Sequence, residues 1–180
     1  VSKNPVSGVQ VELLTPRFWT RVRSQVAEIE SNAYEVARRD GIEDLERVVT
    51  HPRSISVLAR DSVQIAGFCL GAPLEFFPTV SGARDDSNRG RSNTLYAADT
   101  TVASAYRGRG IARLLKCKQL DEARAAGYSF VAGRVRVGFA DAMWKINCEF
   151  GAVQVQYLQG DYGDGLVPDA CIYYRIPLHG

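Results

Sequence analysis

Apolar positions along the chain recur with two different periods, and the places where the period changes mark the elements. Val9, Val11 and Leu13 alternate with polar neighbours, which predicts a strand over 9–14. Thr15-Pro16 is a helix start, an N-cap residue followed by proline at the first helical position. Phe18, Val22, Val26, Ile29 and Ala33 then follow at three- and four-residue steps as one apolar stripe. Asp40-Gly41-Ile42-Glu43 has capping-box spacing and opens a second helix with Ile42, Leu45 and Val49 facing in. Past His51-Pro52 the period falls to two. Ile55, Val57 and Ala59 alternate, Asp61-Ser62 suits a tight turn, and 64–71 returns as the second arm of a β-hairpin. Glu75 to Thr79 extends that arm or forms an irregular edge, and the polar stretch 80–93 is expected to be a mobile surface loop.

The second half alternates more regularly. A strand is predicted over 94–102, a turn over 105–110, and a helix over 110–126 that buries Ile111, Leu114, Leu115 and Ala123 and stops at Gly127. A strand over 128–135 leads to a helical stripe of Phe139, Ala142, Met143, Ile146 and Phe150, closed by Gly151. Strands over 152–158 and 171–176 flank a Gly/Asp-rich loop. This mixed alternation implies an α/β (α+β mixed) domain around one central sheet. The 180 residues suit a single domain spanning 1–180, and no internal repeat is present.

Composition narrows the function classes. A net charge of +2 makes no global demand for nucleic acid or an anionic membrane, so any polyanion must meet a local cluster. No stretch approaches transmembrane length, and the N-terminus lacks a signal-peptide plan. Cys69, Cys117, Cys148 and Cys171 are scattered, and His51 and His179 lack metal-ligand spacing. Neither a disulfide framework nor a metal site is expected, and a cytoplasmic location follows as the simpler compartment. Cys117 and Cys148, among core neighbours, are expected to be buried structural thiols rather than nucleophiles. Because the sequence starts on Val1, it is expected to be a fragment or a processed form.

The chemistry concentrates in 100–112. A strand runs into Arg107-Gly108-Arg109-Gly110-Ile111-Ala112, which opens an apolar helix. Glycines allow positive φ, the first helical amides lack internal partners, and the helix dipole favours an anion there. Arg107, Arg109 and Arg113 add charge suited to phosphate oxygens, so a diphosphate fits the loop. The P-loop and dinucleotide-binding glycine patterns are both absent. The bland alternative is a solvated basic turn or an RNA-contacting patch.

The run R-G-R-G-I-A has the Q/R-x-x-G-x-G/A form of the coenzyme A loop of the GNAT superfamily, and 143–152 (MWKINCEFGA) is similar to that family's helix ending in "IN..LGF". The resemblance spans the element order from Val9 to Ile176. It implies the GNAT fold, a mostly antiparallel sheet of six to seven strands with about four helices. It also implies acyl-CoA-dependent N-acyl transfer, with acetyl-CoA or another acyl-CoA as co-substrate and a small-molecule amine as acceptor. The coenzyme would lie against Thr100, Thr101 and Val102, an N–H near Val102 would polarise the thioester carbonyl, and its diphosphate would meet residues 107–113. Asp99 is the first candidate for the base that deprotonates the amine, with Glu75 in reserve. An equal alternative for Asp99 is a structural, salt-bridged acid. Glu30 and Tyr34 are candidates for the amine pocket, although a solvated helix face is the plainer expectation for both. Asn147 occupies the position where many members carry an acid tyrosine; it can hydrogen-bond the coenzyme but cannot donate a proton as a phenol does. Tyr162 is a candidate substitute acid, although a turn-rich surface loop is the plainer expectation for it, and the acid assignment stays open. Two further readings stay open: a longer acyl group delivered by an acyl carrier protein, and a non-catalytic acyl-CoA-binding module. No nucleic-acid or membrane partner is expected, and the protein is expected to be a monomer or a homodimer.

Overall fold

The computed structural model describes residues 8–178; His179 lies outside the described residues. Seven strands form a mixed sheet in the order β1-β2-β3-β4-β5-β7-β6, accompanied by four α-helices. The strands are β1 (Gln10–Leu13), β2 (Val57–Arg60), β3 (Ile65–Pro73), β4 (Thr94–Val102), β5 (Phe130–Arg136), β6 (Val153–Leu158) and β7 (Cys171–Pro177). The helices are α1 (Pro16–Ser31), α2 (Ile42–Thr50), α3 (Ile111–Ala125) and α4 (Asp141–Glu149). The chain divides into two compact units, residues 8–71 with Asp99–Gln119, and Ala72–Ala98 with 120–178. No described helix is long and apolar enough to cross a membrane.

In the first unit, β1 pairs antiparallel with β2 and β2 with β3, with a bulge between Ala59 and Arg60. Thr15 caps α1 as its sequence implies, its extended backbone placing Oγ1 3.2 Å from the Phe18 N–H that it accepts. The buried stripe of α1 is Trp19, Val22, Val26 and Glu30, so its inward face is displaced from the predicted one and ends on a carboxylate. The predicted capping box of α2 does not form. Gly41 is the N-cap without a side-chain bond, and Asp40 stays outside the helix, its N–H donated to Glu30 Oε1 at 2.8 Å. Val57, Ala59, Ala66, Cys69, Tyr106, Ile111 and Leu115 form the core of this unit.

In the second unit, β4 and β5 run parallel from Thr94↔Phe130 to Ala97↔Gly133, while β5–β7 and β6–β7 are antiparallel. Leu74, Ala83, Tyr96, Ala132 and Tyr173 make its core. The polar stretch 80–93 is pinned rather than loose. Asp86 is buried, accepts from Tyr173 and pairs with Arg175 at 2.6 Å, and Arg89 donates to the carbonyls of Leu74, Glu75, Phe77 and Ala83. The predicted stripe of α4 is also corrected: Phe139 and Ala142 are exposed, Met143, Ile146 and Phe150 are half-buried, and only Asn147 is buried within the helix. Cys117 and Cys148 are exposed, not core thiols, because each sits on the outer side of its helix.

Gly67 of β3 is required by space rather than by dihedral. A Cβ there would fall 2.7 Å from the Thr101 carbonyl oxygen and 3.1 Å from the Val102 Cα, both backbone atoms that cannot swing away. Gly67→Ala is therefore expected to destabilise the protein by about 1–3 kcal/mol, the usual cost of overpacking. A denaturant melt checks this, and an unchanged midpoint would refute the contact.

Candidate active site

Asp99 and Thr101 lie two residues apart on β4, so their side chains leave the same face of the strand. Thr101 Oγ1 donates to Asp99 Oδ1 at 2.8 Å, and the Tyr34 hydroxyl donates to the same oxygen at 2.9 Å. Tyr34 and Thr101 oxygens are themselves 3.2 Å apart, which closes a three-membered polar cluster. The other carboxylate oxygen, Oδ2, is buried and has no hydrogen-bond partner. Desolvation drives the Asp99 pKa up to about 7, against the lowering effect of its two hydroxyl donors; the negative charges of Asp40 and Glu30 push it further in the same direction. Burial, then the charge of Asp99, raises the Tyr34 phenol, so Tyr34 remains a protonated donor.

Glu30 and Tyr34 are thus not on a solvated helix face. Glu30 is only 1% exposed, and burial raises its carboxyl above the usual range while the Asp40 N–H opposes that rise. Sequence gave Glu30 and Tyr34 only as pocket candidates; the hydroxyl-to-carboxylate contact between Tyr34 and Asp99 crosses 65 positions and has no local signature.

Below Asp99 the strand turns into the basic loop. Ser104–Tyr106 form one 3-10 turn, and the Tyr106 phenol donates to Asp61 while accepting from Gln64 Nε2 at 3.0 Å. Asp61 also accepts the Val63 and Gln64 N–H groups at 2.8 and 2.9 Å, so the hairpin turn and the loop share one carboxylate. Gly108 (φ 75°) and Gly110 (φ 79°) take left-handed backbone that L side chains rarely adopt. Leu114 N–H closes on the Gly110 carbonyl at 3.2 Å, which leaves the preceding amides at the mouth of α3. Arg107, Gly108, Arg109 and Gly110 are exposed, Ile111 is buried and anchors the first helical turn, and Ala112 and Arg113 are half-buried. Arg107 Nε donates to the Val102 carbonyl at 3.2 Å, and the Arg109 guanidinium lies 5.2 Å over the Tyr106 ring. A cleft of about 510 Å³ opens beside the turn, bordered by Gln25, Ile29, Gln64, Ser104 and Arg107.

Thr100 points the other way from its two neighbours. Its Oγ1 lies 3.0 Å from Cys69 Sγ, and the Cys69 thiol donates to Gln119 Oε1 at 2.9 Å. Lys116, fully buried in α3, reaches the same Gln119 oxygen at 3.2 Å. A lysine inside an apolar helical stripe carries no sequence signal that distinguishes it from a surface one, and it was missed. Val102 is half-buried, and the next residue, Ala103, donates its N–H to Ala66 O at 2.9 Å.

Three further candidates lie in the second unit, each in its own surroundings. Glu75 sits in a one-turn 3-10 segment, Leu74–Phe76, rather than in a strand, and its Oε1 accepts the N–H groups of Gly90 and Ser92 at 2.9 and 3.1 Å. Tyr162 receives the Cys171 thiol at 3.8 Å under the Arg134 guanidinium, and burial first of all drives its phenol up to about 12. Asn147 is fully buried, and neither its Nδ2 nor its Oδ1 has a hydrogen-bond partner. Such a side chain is a natural hydrogen-bonding partner for an amide or sulfur that enters from outside.

The pKa of Asp99 has a thermodynamic consequence. Its folded value lies above the ordinary 3.8, so its protonated form stabilises the fold at low pH and that stabilisation is lost as pH rises through about 7. Asp99→Asn keeps an acceptor for Tyr34 and Thr101 but carries no charge. It is expected to raise the stability relative to wild type near pH 8 by on the order of a few kcal/mol, seen as a higher melting temperature, and to change little near pH 4. Paired thermal melts at the two pH values check this; a uniform effect would mean that Asp99 is not held near neutrality.

The sequence model of the Acetyltransferase (GNAT) family matches residues 19–143. Among solved structures, the ribosomal-protein-S18-alanine N-acetyltransferase from Escherichia coli is 14% identical over 96% of this chain and 95% of its own, with a TM-score of 0.71. The Salmonella typhimurium protein yncA, solved with its cofactor acetyl-CoA, is 14% identical over 96% and 95%, with a TM-score of 0.69. An aminoglycoside 6'-acetyltransferase type Ii is 13% identical over 95% and 98%, with a TM-score of 0.67. No curated protein matches by sequence. At such identities the structural likenesses establish the fold. The family match extends over more than half of the sequence and takes in Asp99, the glycine-rich turn and α3, and it makes this chain an acyltransferase that belongs to the GNAT acetyltransferase family.

Proposed function

We propose that the chain, acting as one catalytic domain, transfers an acetyl group from acetyl-CoA to a primary amine of a small molecule by direct attack. The observation that carries this reading is Asp99: a buried carboxylate whose pKa is about 7, with one oxygen accepting two hydrogen bonds and the other left without a partner. An alkyl amine is almost wholly protonated near neutral pH, its pKa being about 10.4, and must lose a proton before it can attack. A base poised near the working pH is suited to take it. Thr101 and Tyr34 occupy Oδ1, which leaves Oδ2 as the oxygen with capacity to take a proton.

When bound, acetyl-CoA supplies an acyl group activated as a thioester. The residues 107–113 suit its diphosphate: left-handed glycines keep the backbone close at the start of α3, and Arg107 and Arg109 are held by Val102 and by the Tyr106 ring. Thr100 to Val102 offer backbone groups to the pantetheine chain, with the N–H near Val102 as the donor to the thioester carbonyl. In the transfer the ammonium gives one proton to Asp99 Oδ2, the N–C bond forms as the C–S bond breaks, and the second nitrogen proton leaves through solvent to the departing thiolate. The departing thiolate has an ordinary pKa of about 8.5, so it leaves without obligatory acid help and takes a proton from solvent. Tyr162 is therefore not required as the acid. The Glu75 carboxylate holds the 90–92 backbone, which favours Asp99 over it as base.

Calorimetry with acetyl-CoA tests the coenzyme site. Wild type is expected to bind, and Arg109→Ala and Gly110→Asp to lose most of that affinity, the first by removing charge and the second by adding charge on a strained left-handed residue. Binding that these variants leave intact would place the coenzyme elsewhere. In turnover, Asp99→Asn should bind acetyl-CoA normally yet lose about 10²–10⁴ in kcat, the usual share of a general base. For wild type, kcat/KM should rise with pH through about 7 as Asp99 gives up its proton. A profile that ignores this limb, or an active Asp99→Asn, would remove Asp99 from the chemistry.

A further inference from the structure

Asp99 and Thr101 leave one face of β4, and Thr100 leaves the other, toward a polar chain whose side chains the mechanism above does not use. Lys116, Gln119 and Cys69 are each fully buried. Lys116 Nζ donates to Gln119 Oε1 at 3.2 Å, and the Cys69 thiol donates to the same oxygen at 2.9 Å. That second bond uses the single thiol proton. Across the 3.0 Å contact between Thr100 Oγ1 and Cys69 Sγ the hydroxyl is therefore the donor. Gln119 Nε2 donates in turn to the Ile55 carbonyl at 3.1 Å, just ahead of β2. One glutamine thus joins α3 to β3 and to the approach of β2, and the chain of bonds ends on the residue next to Asp99.

An ammonium is costly to bury, and for packing alone an apolar side chain of similar volume would serve better. Burial first of all pushes the Cys69 thiol up, while the charge of Lys116 opposes that rise and the charge of Asp99 adds to it. Cys69 therefore lies within the field of both groups. We propose that Lys116 is a positioning residue for the acetyl transfer: through Gln119, Cys69 and Thr100 it fixes the roll of β4 that sets Asp99, and its charge steadies the ionised carboxylate from behind the strand. On the other face burial opposes that ionised form most, the Thr101 and Tyr34 hydroxyls favour it, and Asp40 and Glu30 oppose it again, with Arg39 offsetting part of the Glu30 charge. Lys116 adds a fixed positive charge from α3, the helix that the glycine turn opens. The inference rests on the acetyl-transfer reading with Asp99 as base and names a residue that acts through it.

The test has one arm that needs no acceptor and one that does. In the first, the stability gained by Asp99→Asn is followed against pH, with Lys116 present and in a Lys116→Met background. With Lys116 in place the gain should level off near pH 7. In the Lys116→Met background it should level off at higher pH, by roughly half a unit or more, because the ionised carboxylate has lost a favourable charge. In the second, the full chain is assayed with acetyl-CoA and a panel of primary alkyl amines. Lys116→Met and Cys69→Ala should each lower kcat by about tenfold while the affinity for acetyl-CoA stays within about twofold, since Tyr106 and Asp61 hold the glycine turn separately. Cys69→Ser keeps both bonds and should restore most of what Cys69→Ala loses, which tests the chain even if Lys116→Met does not fold. An unmoved pH in the Lys116→Met background, or Cys69→Ala with wild-type kcat, overturns the role of Lys116 and leaves acetyl transfer standing. Wild type that turns over no amine overturns acetyl transfer, and this inference with it, whatever the melts show.

Discussion

The arrangement of the first unit depends on a carboxylate that has been taken out of water and only half compensated. An ionised group in such a place must be paired, protonated or put to use. Asp99 has two hydroxyl donors on one oxygen and nothing on the other, and the neighbouring acids add to the strain rather than relieve it. The fold tolerates this because β4 holds Asp99 and Thr101 on one face and because Tyr34 arrives from beyond α1 with its hydroxyl already aligned. The result is an acid balanced near neutrality, with local stability lower in its ionised state.

The second requirement is a rigid junction between strand and helix. Left-handed glycines alone would leave the turn free to move, since every extra conformer open to glycine is entropy to be lost on ordering. Here Tyr106 is the bolt: its ring enters the core beside Ile111 and Leu115, and its hydroxyl is tied to the Asp61 carboxylate of the hairpin turn. The same ring supports Arg109 from outside. One side chain thus joins apolar packing, a charge-assisted hydrogen bond and the placement of a cation.

Most of the architecture could be read in the sequence because it is written locally. Thr15-Pro16 announces α1, the change to a period of two announces the hairpin, and the glycines before Ile111 announce the turn into α3. Where the reading slipped, the deciding contacts were distant in sequence. The face of α1 is set by Trp19 and Glu30, and nothing within the helix says that a glutamate should point inward. The 80–93 stretch looks like a loose loop in composition, yet Asp86 ties it to Arg175 far along the chain and Arg89 ties it to the carbonyls of the segment just before it. Helix α4 carries an apolar stripe that the structure leaves largely uncovered, with an asparagine at its only buried position. For the candidate site, the glycine turn into α3 and the place of Asp99 on β4 were legible, whereas Tyr34's hydroxyl contact and the buried Lys116 were not, because each depends on what lies opposite.

The bond between Tyr106 and Asp61 also bears on how such a protein can change over generations. The two residues sit 45 positions apart, one on the hairpin turn and one on the loop that opens α3, yet neither can drift without exposing the other. Loss of the carboxylate leaves a phenol with one unmatched proton, and loss of the phenol leaves a turn whose acid has lost its strongest donor. Viable lineages are then expected to keep or exchange the two together. The hairpin turn would then be inherited together with the glycine turn that opens α3.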